Sequence, residues 1–433
     1  MTRLATSSAA PVRLWGARKA AERTLHWAAL AGAPDDPYVL ARLGLYPLAL
    51  EHRARDAQAA LGHNLARAAL GQADAATRTA LASARPGHRK LAAKLLALHD
   101  CDAAMELLEP DDRLARAACY RALGEPERVA EIIRQAPSES REAAAIRAAA
   151  AAGLGNYAEA RQALNAMFAS DGLAAPLSEG STPYGIDDLG GSARAAREGP
   201  KVSVVIPYHD AEATLETAAL SIVRQSWRNV EILLVDDRSA DSGPAIAQRL
   251  AQADDRIVAL ANIRKPGVYG ARNTAIDAAT GSHVTFLDAD DWSPVERISR
   301  QIAGLAGHAV AIANHIRMDE TGRPVAPRIF PIVRPVPITM MLRRETLMAA
   351  GPFEEVATGA DTEMLSRLEM IGGKQSIHRD PAVLLVARWQ SGSLSRDAEG
   401  GLLGRERYDY RAEWMFRHAG LDAPRLPRER AAE

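Results

Sequence analysis

Carboxylate side chains recur directly after short apolar, β-branched segments in the second half of this chain. The pair Asp236-Asp237 follows residues 232–235, and Asp288-Ala289-Asp290 follows residues 283–287. Carboxylate oxygens are the ligands that hard divalent cations such as Mg²⁺ prefer. An Asp after a strand is often only a turn former, so no single pair identifies a site. Their recurrence after two of these segments indicates one polar site.

The segments around these residues alternate between strand and helix patterns. Apolar, β-branched runs predict strands at 202–206, 232–235, 256–260 and 283–287, and the apolar residues between them follow helical spacing. This order requires a parallel sheet with right-handed crossovers and helices on both faces. Ligands of such sheets bind beyond the carboxyl ends of the strands. The polar residues after the strands are therefore predicted to meet there.

Two other polar stretches flank predicted helices. Residues 207–210 follow the first strand, and residues 267–273 precede the third helix. After the acidic turn, Ser293-Pro294-Val295-Glu296 has the pattern of a capping box with proline at the first helical position. We therefore assign Ser293 and Glu296 to helix initiation and not to catalysis.

The first part of the chain has a different composition. Residues 12–168 are rich in Ala, Leu, Arg and Glu, which favours helix throughout. A weak repeat separates successive helical stretches, at Leu43-Gly44, Leu70-Gly71, Leu98-His99, Leu123-Gly124 and Leu154-Gly155. The last copy resembles the inter-helix turn of a tetratricopeptide repeat. The pattern predicts an all-α, TPR-like stack of degenerate helical hairpins, with an irregular helical bundle as the alternative.

Glycine and proline are dense between residues 171 and 200, which breaks regular structure and predicts a linker. The predicted organisation is a helical repeat-like domain at 1–170, the linker, an α/β domain at 201–400 and a helical extension at 401–433. The last segment carries Trp414-Met415-Phe416 among alternating charges and predicts an amphipathic helix that packs on the domain.

The net charge, the cysteine content and the distribution of apolar residues exclude several classes of protein. A formal net charge of −1 over 433 residues gives no attraction to nucleic acid. Cys101 and Cys119 form no CxxC pair, which excludes a disulfide framework or a structural zinc site and suits a reducing compartment. We interpret both as core thiols. No secretory signal or stretch of ~20 apolar residues is present. We expect a cytoplasmic protein without a transmembrane segment, and peripheral attachment to the inner face of the membrane stays open.

Five ordered stretches carry a resemblance to a known family. They read KVSVVIPYHDAEATL, VEILLVDDRSAD, GVYGARNTAI, GSHVTFLDADDWSP and GPFEEVATGADTEMLSRL. Together they resemble the family-2 inverting glycosyltransferases over about residues 201–396. The resemblance implies the GT-A fold, a Rossmann-like, mostly parallel sheet, and transfer of a sugar from a nucleotide-sugar donor to a hydroxyl acceptor.

The resemblance also implies a donor site. It makes Asp290 the metal ligand, with Asp288 contacting the metal's waters or the ribose, and the cofactor a divalent metal, Mg²⁺ or Mn²⁺. Such a cation neutralises a departing diphosphate. Asp237 would hydrogen-bond the base, and Pro207 and Tyr208 would line the base pocket.

Arg272 would lie beside the nucleotide as a fixed cation, and its alternative is a solvated helix residue. Asp361, at a predicted helix N-terminus, corresponds to the general base of the family. Its alternative role is to cap that helix, and Glu363 is the fallback base.

The sequence departs from the family pattern at two positions. Ala360 stands where the family usually has a Glu before the base. Gln390 stands where members often carry a His that helps to bind the metal or the diphosphate. Glutamine still offers a carbonyl oxygen, so Gln390 is kept among the donor-binding residues, but it is neutral and a poorer metal ligand.

The sequence thus predicts an inverting, metal-assisted glycosyltransferase of the hexosyltransferase class, with a UDP-sugar as the expected donor. The acceptor would be a polysaccharide, a lipid-linked glycan or a protein glycan, and the helical domain would recruit the acceptor or a protein partner. The alternative is a scaffold protein that binds through its helical repeats and carries a weakened transferase-like domain. A nucleotidyltransferase is disfavoured because residues 207–210 provide no Gly-rich phosphate loop.

Overall fold

The computed structural model describes residues 10–22, 26–136, 140–192, 195–390 and 404–422. The chain forms two compact units. The first comprises residues 1–124, 327–330 and 394–433, and the second comprises residues 125–326 and 331–393. The predicted fold class is confirmed, because a helical region precedes an α/β region with a GT-A-type mixed sheet.

The first unit is helical in its described part. Its helices are α1 (Ala10–Glu22), α2 (His26–Gly32), α3 (Pro37–Arg42), α4 (Tyr46–Glu51), α5 (Ala57–Ala69), α6 (Ala75–Ala82), α7 (Pro86–Leu96), α8 (Cys101–Glu106), α9 (Arg113–Ala122) and, near the C-terminus of the chain, α19 (Arg405–His418). Trp414, Met415 and Phe416 of α19 are buried, and the Trp414 ring meets His26 of α2 edge-on. The amphipathic C-terminal helix therefore packs on the N-terminal helices. Of the two free cysteines, Cys119 is buried and Cys101 is half-buried.

The repeated Leu–Gly pairs end helices as predicted. Leu43 is the C-cap residue of α3, its amide donates to the Val39 carbonyl, and Gly44 follows with a φ of 80°. The Leu45 amide then donates to the Leu40 carbonyl at 2.8 Å. Glycine reaches this left-handed conformation without a steric penalty, which is why it stops helices in this way. Whether the helices form a TPR-like array stays a prediction.

The second unit begins with the helices α10 (Pro126–Ile133), α11 (Arg141–Gly153) and α12 (Tyr157–Ser170). The predicted helical domain 1–170 thus contributes its last three helices to the compact unit that contains the sheet. The predicted linker 171–200 has a 3₁₀ turn at Ile186–Asp188. Several of its apolar side chains are buried, namely Leu173, Leu177, Tyr184, Ile186 and Leu189. The segment is therefore packed on the second unit.

Strands and helices then alternate through the rest of the second unit. The strands are β1 (Val202–Tyr208), β2 (Val230–Asp236), β3 (Ile257–Ala261), β4 (His283–Phe286), β5 (Val310–Asp319), β6 (Pro324–Val325), β7 (Arg334–Arg343) and β8 (Ile377–Trp389). The helices are α13 (Leu215–Val223), α14 (Gly243–Ala253), α15 (Val268–Ala278), α16 (Arg297–Gly304), α17 (Arg344–Ala350) and α18 (Ala360–Gly372), with a second 3₁₀ turn at Lys374–Ser376.

The strands form one sheet in the order β3-β2-β1-β4-β7-β5-β6, and β8 pairs with β5. The pairs β3–β2, β2–β1, β1–β4 and β5–β8 are parallel, whereas β7 runs antiparallel to both of its neighbours. The carboxyl ends of β1, β2 and β4 therefore lie at one edge, as the sequence predicted. Among the described residues, no helix combines the length and apolar character that crossing a membrane requires.

The predicted capping box at residues 293–296 is wrong. Helix α16 begins only at Arg297, and no side chain caps its first amides. The Ser293 hydroxyl accepts a hydrogen bond from the buried Arg297 guanidinium at 2.8 Å, and Glu296 Oε1 accepts from the Ala174 amide at 3.1 Å. The Ser293 hydroxyl is taken by a side chain of the helix itself and the Glu296 carboxylate by a distant backbone amide, so the capping box does not form.

Glu231 on β2 joins three parts of the sheet. Its buried carboxylate accepts hydrogen bonds from the Ser203 hydroxyl on β1, from the Thr280 amide at 2.7 Å and from the Gly281 amide at 3.0 Å, and it pairs with Lys201 at 2.7 Å. Burial alone would raise its pKa, but the hydrogen bonds from Lys201, Ser203 and Thr280 lower the pKa to about 2. The ionised form of Glu231 therefore stabilises the sheet.

We predict an acid-sensitive sheet. Because the folded pKa of Glu231 lies below its unfolded value of ~4.3, its contribution is complete above that value and is lost as the pH falls towards 2. The contribution is on the order of 3 kcal/mol. Hydrogen exchange of β1 and β2 amides between pH 5 and pH 2.5 measures it: Glu231→Gln should flatten the acid dependence, whereas the exposed control Glu216→Gln should keep it. An equally steep dependence in Glu231→Gln would contradict the assignment.

Candidate active site

The edge at the carboxyl ends of β1, β2 and β4 collects the predicted polar residues. Tyr208 ends β1 opposite Asp236 of β2, and its carbonyl accepts the amide of Asp237 at 2.8 Å. Asp288 follows β4 after one residue, where the Leu287 amide still pairs with β1. Parallel pairing thus places the two acidic stretches at the same edge of the sheet.

Asp237 fixes the start of α15. Its carboxylate accepts the Asn262 side-chain amide at 2.7 Å and the backbone amide of Gly267 at 2.6 Å. Gly267 has a φ of 122°, which favours glycine, and a Cβ on Gly270 would lie 1.9 Å from the Lys265 carbonyl oxygen. The two glycines of the GVYGARN stretch are therefore required for α15 to begin at this edge.

Arg272 of α15 connects the helix to the acidic turn. Its side chain is 4% exposed, and it donates to Asp288 Oδ1 at 2.6 Å. Burial opposes its charge, but Asp288, Tyr269 and Asp361 together raise the pKa of Arg272 above its ordinary value. The alternative role as a solvated helix residue is therefore wrong. Arg272 is a buried cation at the acidic turn.

The carboxyl groups of the acidic turn lie close together, so each disfavours the ionised form of its neighbours. Burial and the neighbouring Asp288 raise the pKa of Asp290 to about 6, although Arg388 and Arg317 act in the opposite direction. The next residue, Asp291, is also buried, and its pKa is raised well above the usual value by burial and by Asp290. A divalent cation would reduce the repulsion among these carboxylates, so Asp288 and Asp290 fit the metal that the family resemblance implies.

The described residues indicate how a cation at the acidic turn would be coordinated. In the described parts of the chain, no group of three or more His, Cys, Asp or Glu side chains has the arrangement of a metal site. A cation at Asp288 and Asp290 would therefore complete its shell with water and with phosphate oxygens of a nucleotide. This is how Mg²⁺ is commonly bound in proteins, through one or two carboxylates.

Arg388, at the end of β8, secures the acidic turn and was not among the predicted site residues. Its backbone amide donates to Asp291 Oδ1 at 3.1 Å, and its Nε donates to the Asp290 carbonyl at 3.3 Å. Its guanidinium pairs with Asp187 at 2.7 Å, and Asp187 also accepts the Thr217 hydroxyl at 2.7 Å. Asp187 lies in the predicted linker, so the sequence pattern gave no signal for this contact.

Asp361 lies at the start of α18 but does not cap it. The N-cap position belongs to Gly359, with a φ of 90°, and Asp361 is the second helical residue. The Tyr269 hydroxyl donates to Asp361 Oδ1 at 3.2 Å and accepts the Gly359 amide at 3.0 Å. The fallback Glu363 is 1% exposed and pairs with Arg367 at 2.7 Å, so its carboxylate is engaged inside the unit.

Tyr269 is the residue that links the two halves of the site. Its hydroxyl contacts Asp361, and the Arg272 guanidinium lies over its ring, 5.1 Å from the centroid. Arg272 in turn contacts Asp288. One helical turn of α15 therefore joins the candidate base to the acidic turn. Tyr269 lies in the GVYGARN stretch, but the sequence pattern gave no reason to assign it a role.

Residues 203–359 match the family described as Glycosyl transferase family 2. The chain contains a family 2 glycosyltransferase domain. Its five ordered stretches and their placement at one edge of the sheet agree with this match.

Curated relatives match the family 2 domain over part of their length. The GalNAc(5)-diNAcBac-PP-undecaprenol beta-1,3-glucosyltransferase of Campylobacter jejuni is 41% identical over 21% of this chain and 30% of its own length. The succinoglycan biosynthesis protein ExoO of Rhizobium meliloti is 37% identical over 27% of this chain and 33% of its own length. An uncharacterized glycosyltransferase of Haemophilus influenzae is 32% identical over 24% of this chain. The chain spans 30% to 41% of the length of these three relatives.

Among solved structures, S. aureus TarS residues 1–349 in complex with UDP-GlcNAc is similar with a TM-score of 0.37. It is 18% identical to this chain, over 51% of this chain and 73% of its own.

The remaining predicted residues of the family 2 domain are placed as follows. Pro207 lies within β1, and Tyr208 is 4% exposed at its end. Burial, Asp236 and Asp241 raise the pKa of the Tyr208 phenol, so it is neutral. Gln390 directly follows β8 and is half-buried. Within the described residues, no hydrogen bond joins its side chain to the acidic turn, and the rest of the stretch in which it was predicted, residues 391–395, lies outside them.

We predict that Tyr269→Phe loosens the start of α18. The substitution removes the acceptor of the Gly359 amide and the donor to Asp361, so hydrogen exchange of the Gly359 amide should accelerate about tenfold, as expected for one hydrogen bond of ~1.4 kcal/mol. The matched control is Tyr184→Phe, because the buried Tyr184 hydroxyl has no hydrogen-bond partner among the described residues. Unchanged exchange at Gly359 in Tyr269→Phe would show that the tether does not hold Asp361.

Proposed function

We propose that the second unit transfers a sugar from a nucleotide-sugar donor to a hydroxyl acceptor with inversion at the anomeric carbon. The observation that carries the proposal is the connection from Asp361 through Tyr269 and Arg272 to Asp288. A transferase of this kind needs a base for the acceptor and a charged site for the diphosphate within the length of one sugar. The connection through α15 supports such a spacing.

The donor would bind along the carboxyl edge of the sheet. Pro207, Tyr208 and Asp237 would receive the base, because Asp237 retains acceptor capacity beyond its two hydrogen bonds. Asp288 would contact the ribose or waters of the metal. We expect a UDP-sugar as the donor; the similar S. aureus TarS structure is a complex with UDP-GlcNAc.

Asp290 and Asp288 would hold Mg²⁺ or Mn²⁺, which when bound neutralises the negative charge of the departing diphosphate. Arg272 holds Asp288 in place from inside the unit. Gln390 would contact the donor through its side-chain amide in place of the usual His. Because glutamine is neutral, we expect weaker metal affinity than in relatives with a His at this position.

Asp361 would act as the general base. The acceptor hydroxyl gives its proton to Asp361, its oxygen forms a bond to the anomeric carbon, and the bond from that carbon to the diphosphate oxygen breaks on the opposite face. The electron pair leaves with the nucleoside diphosphate, which inverts the anomeric centre. Proton transfer of this kind contributes about 100- to 10,000-fold to the rate. Ala360 is fully buried and offers no carboxylate beside the base, so Asp361 carries this task without the usual Glu.

The acceptor is proposed from the relatives. Two of them are a glucosyltransferase named for an undecaprenol-linked glycan and a protein of succinoglycan biosynthesis. We therefore place the acceptor among lipid-linked glycans and polysaccharides, with a protein glycan as the remaining class. The site of action would be the cytoplasm, with peripheral attachment at the inner face of the membrane. The helical first unit would bind the acceptor or a protein partner.

We predict metal-dependent nucleotide binding. Calorimetry of the full chain with UDP, GDP and dTDP should show binding of UDP in the presence of Mn²⁺ and at least tenfold weaker binding after chelation. Asp290→Asn should abolish this dependence on metal, because it removes the proposed ligand. The exposed control Asp255→Asn should bind as the wild type does. Equal UDP binding with and without Mn²⁺ would refute the metal assignment. A lack of nucleotide binding would instead favour the scaffold alternative.

We predict that a substitution of the general base Asp361 lowers turnover and leaves donor binding intact. Asp361→Asn keeps the shape of the side chain but removes its basicity, so it should retain UDP affinity within about twofold and lower turnover by at least ~100-fold. Release of UDP from a UDP-sugar, with water as the acceptor, measures turnover without knowledge of the natural acceptor. Retained turnover would move the role to another carboxylate, of which Glu363 is the neighbouring one.

A further inference from the structure

The first unit contains a pocket with charged side chains in its lining that the proposed reaction does not use. Its volume is about 450 Å³, which lies within the range of ~300–1,000 Å³ typical of ligand sites. The polar side chains that line it are Lys19, Glu22, Tyr38, Arg42, Arg85 and His88, together with the backbone of Gly87. The pocket lies entirely within α1, α3 and the start of α7.

The pocket carries an excess of positive charge. Its one carboxylate, Glu22, is compensated by the Lys19 ammonium at 2.8 Å and accepts the Tyr38 hydroxyl at 3.0 Å. Arg42 and Arg85 form no ion pair among the described residues, and Arg42 Nε is buried there without a hydrogen-bond partner. Two guanidinium groups therefore remain available to an anion.

The walls of the pocket are fixed before any ligand binds. Tyr38 is fully buried, and its hydroxyl, which donates to Glu22, accepts from His88 Nε2 at 3.2 Å. Arg18 of α1 pairs with Asp36 at 2.6 Å and with Asp56 at 3.0 Å, which locks α1 to the starts of α3 and α5. Little ordering remains to oppose ligand binding.

The start of α7 adds to the positive potential. Arg85 is its N-cap residue, and its first turn contains no acidic residue. Pro86 has no N–H, and the amides of His88 and Arg89 donate to the Arg85 carbonyl at 2.8 Å and 3.0 Å, so among the described residues of this turn the Gly87 amide alone stays open. Next to the pocket, a Cβ on Gly87 would meet no atom within 4 Å, so the backbone there is open. Uncapped amides at a helix N-terminus carry a partial positive charge that favours anions.

We propose that this pocket binds a phosphate-bearing ligand. The planar guanidinium groups of Arg42 and Arg85 match the geometry of phosphate oxygens, and Gly87, whose amide is open, lines the same pocket. The pocket lies wholly in the first unit, so the assignment does not rest on the proposed transferase activity. It would give the helical unit a binding role of its own, for a soluble sugar phosphate or for the phosphate of a lipid headgroup.

The test uses the full chain in the presence of EDTA, which silences a metal-dependent donor site. Calorimetry with inorganic pyrophosphate and with glucose 1-phosphate should show one binding site. Arg42→Gln and Arg85→Gln should each weaken binding about tenfold, the effect of losing one charge-assisted contact. Glu22→Gln should strengthen binding, because it removes the negative charge. The control Arg67→Gln, an exposed residue of α5, should bind as the wild type does.

Two outcomes overturn the proposal: no binding of either probe to the wild-type chain, or binding that both Arg42→Gln and Arg85→Gln leave unchanged. Arg85 is exposed, so its substitution keeps the test valid if circular dichroism shows that Arg42→Gln loses helix. Vesicles of phosphatidic acid separate the two sources of phosphate. Vesicle binding that Arg85→Gln abolishes supports the site and assigns it to a lipid headgroup, whereas binding of glucose 1-phosphate alone supports the site with a soluble ligand.

Discussion

The buried guanidinium of Arg272 is the group on which the candidate site depends. A charge that is 4% exposed is held inside the unit only because Asp288 receives it at 2.6 Å and aromatic rings lie beside it. Removing either partner of such a pair leaves the other uncompensated. The pair therefore fixes where α15 meets the acidic turn. Since Tyr269 lies on the same helical turn and contacts Asp361, the same constraint positions the candidate base.

A second set of contacts supports the acidic turn from the other side. Arg388 binds the backbone of Asp290 and is itself held by Asp187. Asp187 precedes the residues that match family 2, which begin at residue 203. The geometry of the turn thus depends on a segment outside the family match, and this segment is packed rather than loose. The two sets of contacts leave Asp288 and Asp290 with negative charge that an added cation would balance.

The sequence predicted the first half of the sheet well, because each parallel strand there is a short apolar run with β-branched residues and has a polar residue within two positions of its end. It did not predict the part of the sheet made by β5, β7 and β8. Pairing between β5 and β8 joins residues more than sixty positions apart, and no local pattern encodes it. For the same reason the sequence missed Arg388, whose partners Asp187 and Asp290 are distant in the chain.

Local patterns also failed where other side chains occupy the groups that the pattern requires. Ser293 has the type and spacing of a helix cap, but the buried Arg297 guanidinium takes its hydroxyl. For Arg272 the sequence left a solvated helix residue open as the alternative, because its periodicity does not reveal the aromatic rings around it. In contrast, Asp237, Asp288, Asp290 and Asp361 were found from sequence because strand ends and a family pattern mark them. Their assigned roles stay predictions.

The central claim is that the acidic turn after β4 holds a divalent cation together with a nucleoside diphosphate. Crystals of the full chain grown with UDP and Mn²⁺, with diffraction collected at the manganese edge, test it most directly. The account predicts one anomalous peak in the second unit, in contact with the Asp290 carboxylate and with the diphosphate of UDP. UDP bound at this edge without a manganese peak beside Asp290, or a peak held by other residues of the unit, would contradict it.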